Sequence, residues 1–310
     1  MHLLVAQPGT ISDGSDAIDL AQSPGDIVYI SAADTELNCL AQASKVLSEE
    51  FADFPSVRLA NMMTLNHNMS VDIYVETIIK QAKIVIVRVL GGRTYWPYGI
   101  DEIVATCSHN SIPLALLPGD DQPDIELMHL SSIDQEMLYK IWQFQVHGGI
   151  NNASGMLSLV SNLIGRENTW REPEPLVRTG LYWPKTELPD LNIIQSNWIE
   201  DAPVVALIFY RALVQAGNVE VINMLISELM RLNLNPLPIF TQSLKEKVSA
   251  GILESIFFRS KPDIILNSTG FSVSSPGAES SHTPFEVGRD NDPPMVIQMV
   301  FSGSDKESWK

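Results

Sequence analysis

The chain has 310 residues, of which 45% are hydrophobic and 18% charged, a composition that excludes collagen-like, mucin-like and wholly disordered proteins. Twenty Lys and Arg against thirty-seven Asp and Glu leave a formal net charge of −17. A field of that sign repels phosphate backbones and anionic lipid, so neither nucleic acid nor a membrane is expected as a partner. Only Cys39 and Cys107 occur, which provides no zinc-type cluster and fits a reducing compartment. The amino end lacks a basic region followed by a long apolar run, and no stretch of eighteen apolar residues is present. A cytoplasmic location is therefore expected.

The first half alternates strand-like and helix-like stretches. Residues 2–6 and 27–32 are short β-prone runs, followed by a helical pattern over 35–50 with Leu37, Leu40, Ala41 and Leu47 on one face. Residues 57–62 form the next strand candidate, and a helix is predicted over 70–81 with Ser70 as its N-cap. The run 84–90 is apolar on both parities apart from Arg88, as in a strand covered on both faces. It ends in Gly91-Gly92; a helix is predicted after Pro97, then a strand over 112–117 stopped by Pro118-Gly119. Residues 131–146 and 149–165 read as two further helices, covering the sheet or extending from it.

Residues 166–178 are charged and proline-bearing without apolar periodicity, the signature of a linker, placed at 169–178. A second α/β unit follows, with strands at 181–183, 204–209, 236–240, 263–267 and 294–300 and helices at about 218–232 and 245–258. The expected architecture is α/β: two successive α/β units with mostly parallel sheets, Rossmann-like or periplasmic-binding-like, with extra helices between them. Their extents are 1–168 and 179–310. The last residues begin a helix-like stretch after a strong strand, which reads as the amino-terminal part of a longer protein, the alternative being a frayed tail.

The densest candidate for ligand contact is residues 90–99, at the end of a buried strand, where α/β sheets place their sites. Arg93 supplies a positive fork, and Tyr95, Trp96 and Tyr98 supply apolar faces with polar tips. The same aromatics also suit packing. His67 lies in a polar loop, and Asn267, Ser268 and Thr269 follow another strand in a hydroxyl-rich loop that carries His282. Asp120 and Asp121 form an acidic turn, the weak candidates for a cation and otherwise a solvated cap. No histidine pair has metal-ligand spacing, and neither a P-loop, a G-x-G-x-x-G loop nor a G-x-S-x-G elbow is present.

Several long blocks point further: LLVAQPGTISDG, PGDIVYISAADTEL, LANMMTLNHNMSVDIYVE, VRVLGGRTYWPYG and LALLPGDDQPD. In the second half come GLYWP, FYRALVQAGNVEVINMLISELMRLNLNPLPIF and PDIILNSTGFSVSSPGA. Together they resemble the opening of the large subunit of aerobic-type cobaltochelatase, the CobN family, related to the large subunit of magnesium chelatase. The resemblance covers essentially the full chain.

It implies a segment of a tetrapyrrole-binding subunit of an ATP-dependent ligase that inserts Co²⁺ into hydrogenobyrinic acid a,c-diamide in cobalamin biosynthesis. An AAA+ ATPase subunit, carrying ATP-Mg, and its companion subunit are the implied partners. Co²⁺ and tetrapyrrole are substrates, and no tightly bound cofactor is expected in this segment. The resemblance assigns no catalytic residue within the segment; the principal catalytic groups are expected beyond Lys310, and the isolated segment is expected to be inactive. Arg93, Tyr95, Trp96, Tyr98, His67, Asn267, Ser268 and Thr269 are the expected tetrapyrrole or partner contacts, with Arg88 and Arg93 answering pigment carboxylates. The alternatives are a magnesium-chelatase-like segment, an assembly scaffold that touches no pigment, and a self-contained α/β enzyme or binding module.

Overall fold

The computed structural model describes residues 17–186, 189–270, 285 and 293–301; the expected strand at 2–6 and His282 lie outside them. The chain divides into two compact units, one of residues 1–176 with 215–217, the other of residues 177–214 and 218–310.

The first unit carries a four-stranded sheet in which every strand is parallel, in the order β2-β1-β3-β4. Its strands are β1 (Ile27–Ser31), β2 (Val57–Asn61), β3 (Ile84–Val89) and β4 (Leu114–Pro118), and β1, β3 and β4 are buried at every position. That is why these runs are apolar on both parities: a parallel sheet has helices on both faces. On one face lie α2 (Asn68–Thr77) and α3 (Pro97–Asn110), packed over Val28, Ile30, Val85, Val87 and Leu116. On the other, α1 (Asp34–Glu50), α5 (Gln135–His147) and α6 (Ile150–Leu163) pack over Ile27, Tyr29, Ile84, Ile86 and Leu117. A short helix, α4 (Ile125–His129), precedes α5.

Several expectations shift locally. Ala41 points outward, and the buried stripe of α1 is Cys39, Leu40, Ala43 and Leu47. The helix expected to be capped by Ser70 starts earlier, because His67 Nδ1 accepts the Met69 N–H at 3.1 Å and takes the capping role. Ser70 is instead buried, its Oγ accepting the Ile18 N–H at 2.7 Å. The pair α5 and α6 is not an extension: Leu138, Ile141, Met156, Leu157 and Val160 are fully buried in the layer that covers the sheet.

The expected linker has no helix or strand up to Arg178, yet its backbone is tied down. Asn152 Nδ2 donates to the Glu174 carbonyl at 2.9 Å and its Oδ1 accepts the Glu174 N–H at 2.8 Å. Asn162 makes the same pair of bonds with Asn168. Trp170 packs on the core, 6.5 Å from the Phe144 ring and 5.0 Å beneath Lys140 Nζ. Side-chain amides satisfy this stretch where a ladder would elsewhere, so it needs no periodicity.

The second unit holds a five-stranded sheet, order β5-β7-β6-β8-β9, antiparallel only between β5 and β7. Its strands are β5 (Thr179–Leu181), β6 (Val204–Tyr210), β7 (Asn235–Thr241), β8 (Ile264–Asn267) and β9 (Met295–Gln298). Between them lie α7 (Leu191–Gln195), α8 (Arg211–Gln215), α9 (Glu220–Arg231) and α10 (Lys247–Ser260). The strand expected at 181–183 begins two residues earlier, where the Thr179 and Thr241 hydroxyls share a buried 2.8 Å hydrogen bond across the pair. Pro236 and Pro238 stand inside β7, an interior strand between β5 and β6. Opposite Pro238, the Tyr182 N–H donates to its carbonyl at 3.0 Å, so the strand keeps its acceptors where prolines remove donors.

Asp26 closes the start of the first sheet. Its Oδ2 accepts the Ser56 N–H and hydroxyl at 2.9 and 2.8 Å, and Lys83 Nζ lies 2.8 Å from Oδ1. The Lys83 hydrogen bond, assisted by those from Ser56, holds the carboxyl at about 2, below its ordinary value. A depressed carboxyl contributes stability that is complete above its ordinary pKa near 3.8 and is lost as pH falls through about 2. Asp26→Asn is therefore expected to lower the melting temperature near neutrality and to flatten its decline between pH 4 and pH 2, as read by thermal unfolding across that range.

Candidate functional site

In an open parallel sheet a ligand crevice forms at the carboxyl ends of two adjacent strands whose connections leave in opposite directions. In the first unit that point lies between β1 and β3: the chain leaves β1 toward β2 on one side and β3 toward β4 on the other. The residues around it are 31–36, 61–67, 90–98 and 118–126, which include most of the sequence candidates.

Arg93 is exposed, yet its charge is taken. Nη2 and Nε contact Asp101 Oδ1 at 2.7 and 3.1 Å, and Nη1 lies 3.5 Å from Glu126 Oε1. These carboxylates push its pKa further up, Asp101 foremost. Tyr98 donates its hydroxyl to Asp72 Oδ1 at 2.7 Å, and that bond holds the phenol up at about 12, a neutral donor with its proton committed. Tyr95 is half exposed, its hydroxyl 3.6 Å from Met63 Sδ. Trp96 belongs to the core: it is 6% exposed and its Nε1–H donates to the Leu65 carbonyl at 3.1 Å. Gly99 makes this possible, since a Cβ there would collide with the indole. His67 spends one ring nitrogen on its cap.

Asp120 and Asp121 brace a turn. Asp120 Oδ1 accepts the Gln122 N–H at 3.0 Å, Asp121 Oδ1 accepts from Gln122 Nε2 at 3.3 Å, and the Asp120 carbonyl takes the Trp142 indole N–H. Among the described residues no group of three or more His, Cys, Asp or Glu is placed to hold a metal ion. Among the same residues no helix is long and apolar enough to cross a membrane. Cys39 and Cys107 are buried free thiols, raised to about 11 and about 12 chiefly by desolvation, and so unreactive at neutral pH.

The rim also contains a network that the sequence signalled only through the single charge in β3. Arg88 is 5% exposed and forms an ion pair with Glu36 in the first turn of α1. Its Nε donates to the Pro118 carbonyl at 3.0 Å and its Nη1 to the Gln145 carbonyl at 3.4 Å. The Ser31 hydroxyl donates to Glu36 Oε2 at 2.8 Å and the Tyr29 hydroxyl to the same oxygen at 3.3 Å. Burial first, then the Glu36 charge, drives the Tyr29 pKa well up. The charge expected to meet a pigment carboxylate is thus spent inside the fold.

In the second unit the corresponding point lies between β6 and β8. Asn267 is buried; its Oδ1 accepts from the Thr269 N–H at 3.1 Å and hydroxyl at 2.8 Å, and its Nδ2 donates to Gln298 Oε1 at 3.0 Å. The Ser268 hydroxyl donates to the Ile208 carbonyl and the Gly270 N–H to the Tyr210 hydroxyl, both at 2.8 Å. Asn267, Ser268 and Thr269 are therefore brought together, but as the braces of one loop. Two cavities among the described residues lie away from the rims. One of about 540 Å³ is lined by Val104, Cys107, Ile112, His129 and Leu130 at the amino end of β4, and one of similar volume by Phe51, Phe54, Arg166 and Asn168.

A family model described as CobN/Magnesium Chelatase matches residues 142–310. The chain is 38% identical, over its whole length, to the aerobic cobaltochelatase subunit CobN of a Sinorhizobium species, and 37% identical to that of Pseudomonas aeruginosa. It spans about a quarter of each, 24% of the length. A solved structure, the catalytic subunit of cobaltochelatase from Mycobacterium tuberculosis, superposes on 92% of this chain and 22% of its own with a TM-score of 0.64 at 21% identity, a likeness of fold.

Two predictions follow from the rim. Arg88→Met strands Glu36 beside Tyr29 and is expected to cost about 3 kcal/mol in urea unfolding, of which the double variant Arg88→Met/Glu36→Leu regains more than half. Gly92 has φ +73° and ψ −170°, and a Cβ there would lie 2.9 Å from Asp124 Oδ2. Gly92→Ala is expected to cost about 2 kcal/mol, measured the same way.

Proposed function

The chain belongs to the CobN/magnesium chelatase family, and from that premise we propose that it is a scaffold segment of the large subunit of an ATP-dependent cobaltochelatase. In this reading the complete subunit binds the tetrapyrrole and inserts Co²⁺ into hydrogenobyrinic acid a,c-diamide for cobalamin biosynthesis, in the cytoplasm. An AAA+ ATPase with ATP-Mg and a companion subunit drive the cycle. Cobalt is favoured over magnesium because both curated relatives that match the whole chain are cobaltochelatase subunits.

The observation that carries the scaffold role is the state of Arg93. Metal insertion into a planar nitrogen ligand requires loss of water from the cation, deprotonation of ring nitrogens and close positioning. A group serving those steps must be free to act. Arg93 is held by Asp101 and Glu126, Tyr98 by Asp72, and Arg88 by Glu36. A pigment carboxylate approaching Arg93 would meet two carboxylates already in place and compete with both. The segment accordingly supplies rigid architecture, and the metal-inserting groups reside elsewhere in the subunit.

The test has two arms. Cobalt insertion, followed by the pigment's absorbance, is expected for the longer subunit with its two partners and ATP, and Arg93→Ala is expected to change the rate less than about twofold. The 310-residue chain alone is expected to insert no metal and to show no saturable quenching of its tryptophans by hydrogenobyrinic acid a,c-diamide. Saturable quenching abolished by Arg93→Ala would return this rim to the pigment cleft. Failure of the longer subunit to insert cobalt would overturn the chelatase reading itself.

A further inference from the structure

The two sheets treat their edges differently. In the first, the outer side of β4 is closed by side chains: the Ser132 and Ser131 hydroxyls accept the Leu114 and Leu116 N–H groups at 2.9 and 2.8 Å. The outer side of β2 is covered by Gln22, whose Nε2 donates to the Leu59 carbonyl, and by Arg58, which reaches back to Ser23 and Pro24. Such plugging is how a native sheet edge avoids recruiting another strand.

Edge strand β9 has no such closure among the described residues. It pairs in parallel with β8, Ile264 opposite Met295 and Asn267 opposite Gln298. The Met295 N–H donates to the Asp263 carbonyl and the Met299 N–H to the Asn267 carbonyl. With a two-residue repeat, the main-chain groups of residues 295, 297 and 299 face β8, and those of Val296 and Gln298 face the open edge. All four residues of β9 are exposed, Met295 at 64%, Val296 at 47% and Ile297 at 42%, followed by Val300 at 85%. Successive residues point to opposite faces, so apolar side chains are bare on both sides of the sheet. A parallel strand normally has both faces covered. Here a run of apolar residues carries the sequence of an interior strand and the exposure of an edge.

We propose that β9 is an interior strand of a larger sheet, and that an extended apolar segment of the same large subunit, outside these 310 residues, adds a further strand along its open edge. This rests on the chelatase reading, and the material for it exists there: the curated relatives are about four times the length this chain spans. The new strand would take the outward N–H and C=O groups of Val296 and Gln298, and its flanking chain would cover Met295, Ile297 and Val300.

Hydrogen–deuterium exchange tests it without reference to activity, and so separately from the cobalt-insertion assay. The 310-residue chain and the longer subunit are labelled side by side, and peptides spanning residues 294–300 are followed. The outward amides of Val296 and Gln298 are expected to exchange at once in the 310-residue chain and at least about a hundredfold more slowly in the longer subunit. Val296→Pro removes only an outward donor, leaving the bonds to β8. In the longer subunit it is expected to return the Gln298 amide to fast exchange while peptides over β6 and β8 stay protected. The proposal is overturned by any of three results. They are equal exchange in both proteins, protection already complete in the dilute 310-residue chain, which would assign the edge to its own residues, or protection that appears only as that chain is concentrated, which would assign it to a second copy.

Discussion

The buried ion pair between Arg88 and Glu36 is the constraint around which the first unit is organised. A guanidinium with 5% exposure inside a parallel strand carries a large desolvation cost, tolerable only if its donors are met. The partners come from four places: the first turn of α1, the end of β4, the end of α5 and, through Ser31 and Tyr29 on the shared Glu36 carboxylate, β1. One side chain thereby fixes where three loops and a helix start relative to the sheet, and with them the carboxyl rim. Arg88 sits opposite Ser31 in the β1–β3 register, so a one-residue slip would move the charge to the other face and strand it there.

The same economy governs the rims. Most of the polar side chains that the sequence marks as ligand contacts hold the chain where they are described: His67 as a helix cap, Tyr98 on Asp72, Arg93 on Asp101 and Glu126, Asn267 on Thr269 and Gln298. Saturated groups confer rigidity at the expense of reactivity. An architecture of this kind agrees with the scaffold role proposed for the segment. The acidic balance of the chain agrees, because free cations to meet pigment carboxylates are scarce at the place where an α/β fold would present them.

Much of the fold was legible from residue pattern because burial on two faces leaves a strong trace. The runs at 27–31, 84–89, 114–118 and 204–210 are apolar on both parities apart from Ser31 and Arg88, as strands covered on both faces require. Proline at 97 and the glycines at 91 and 92 fixed a helix start and a loop through φ alone. The long blocks of resemblance pointed to the chelatase family, which the family match and the curated relatives bear out. Less legible were features that depend on which atom finds which partner. The His67 cap, the stapled stretch at 166–176 and the start of β5 at Thr179 each turn on one side-chain hydrogen bond that periodicity does not encode.

Sequence by itself determined that this is an α/β protein with parallel sheets and a member of the chelatase family, because apolar spacing reflects burial and long blocks reflect descent. Tertiary structure decided which charges are free. Arg88 and Arg93 read alike along the chain, as lone cations at the end of one strand. Folding buries the first against Glu36 and pairs the second with carboxylates 8 and 33 residues away. The availability of a charged group depends on distances of a few ångströms between residues far apart in sequence, and those distances come into being only when the layers pack.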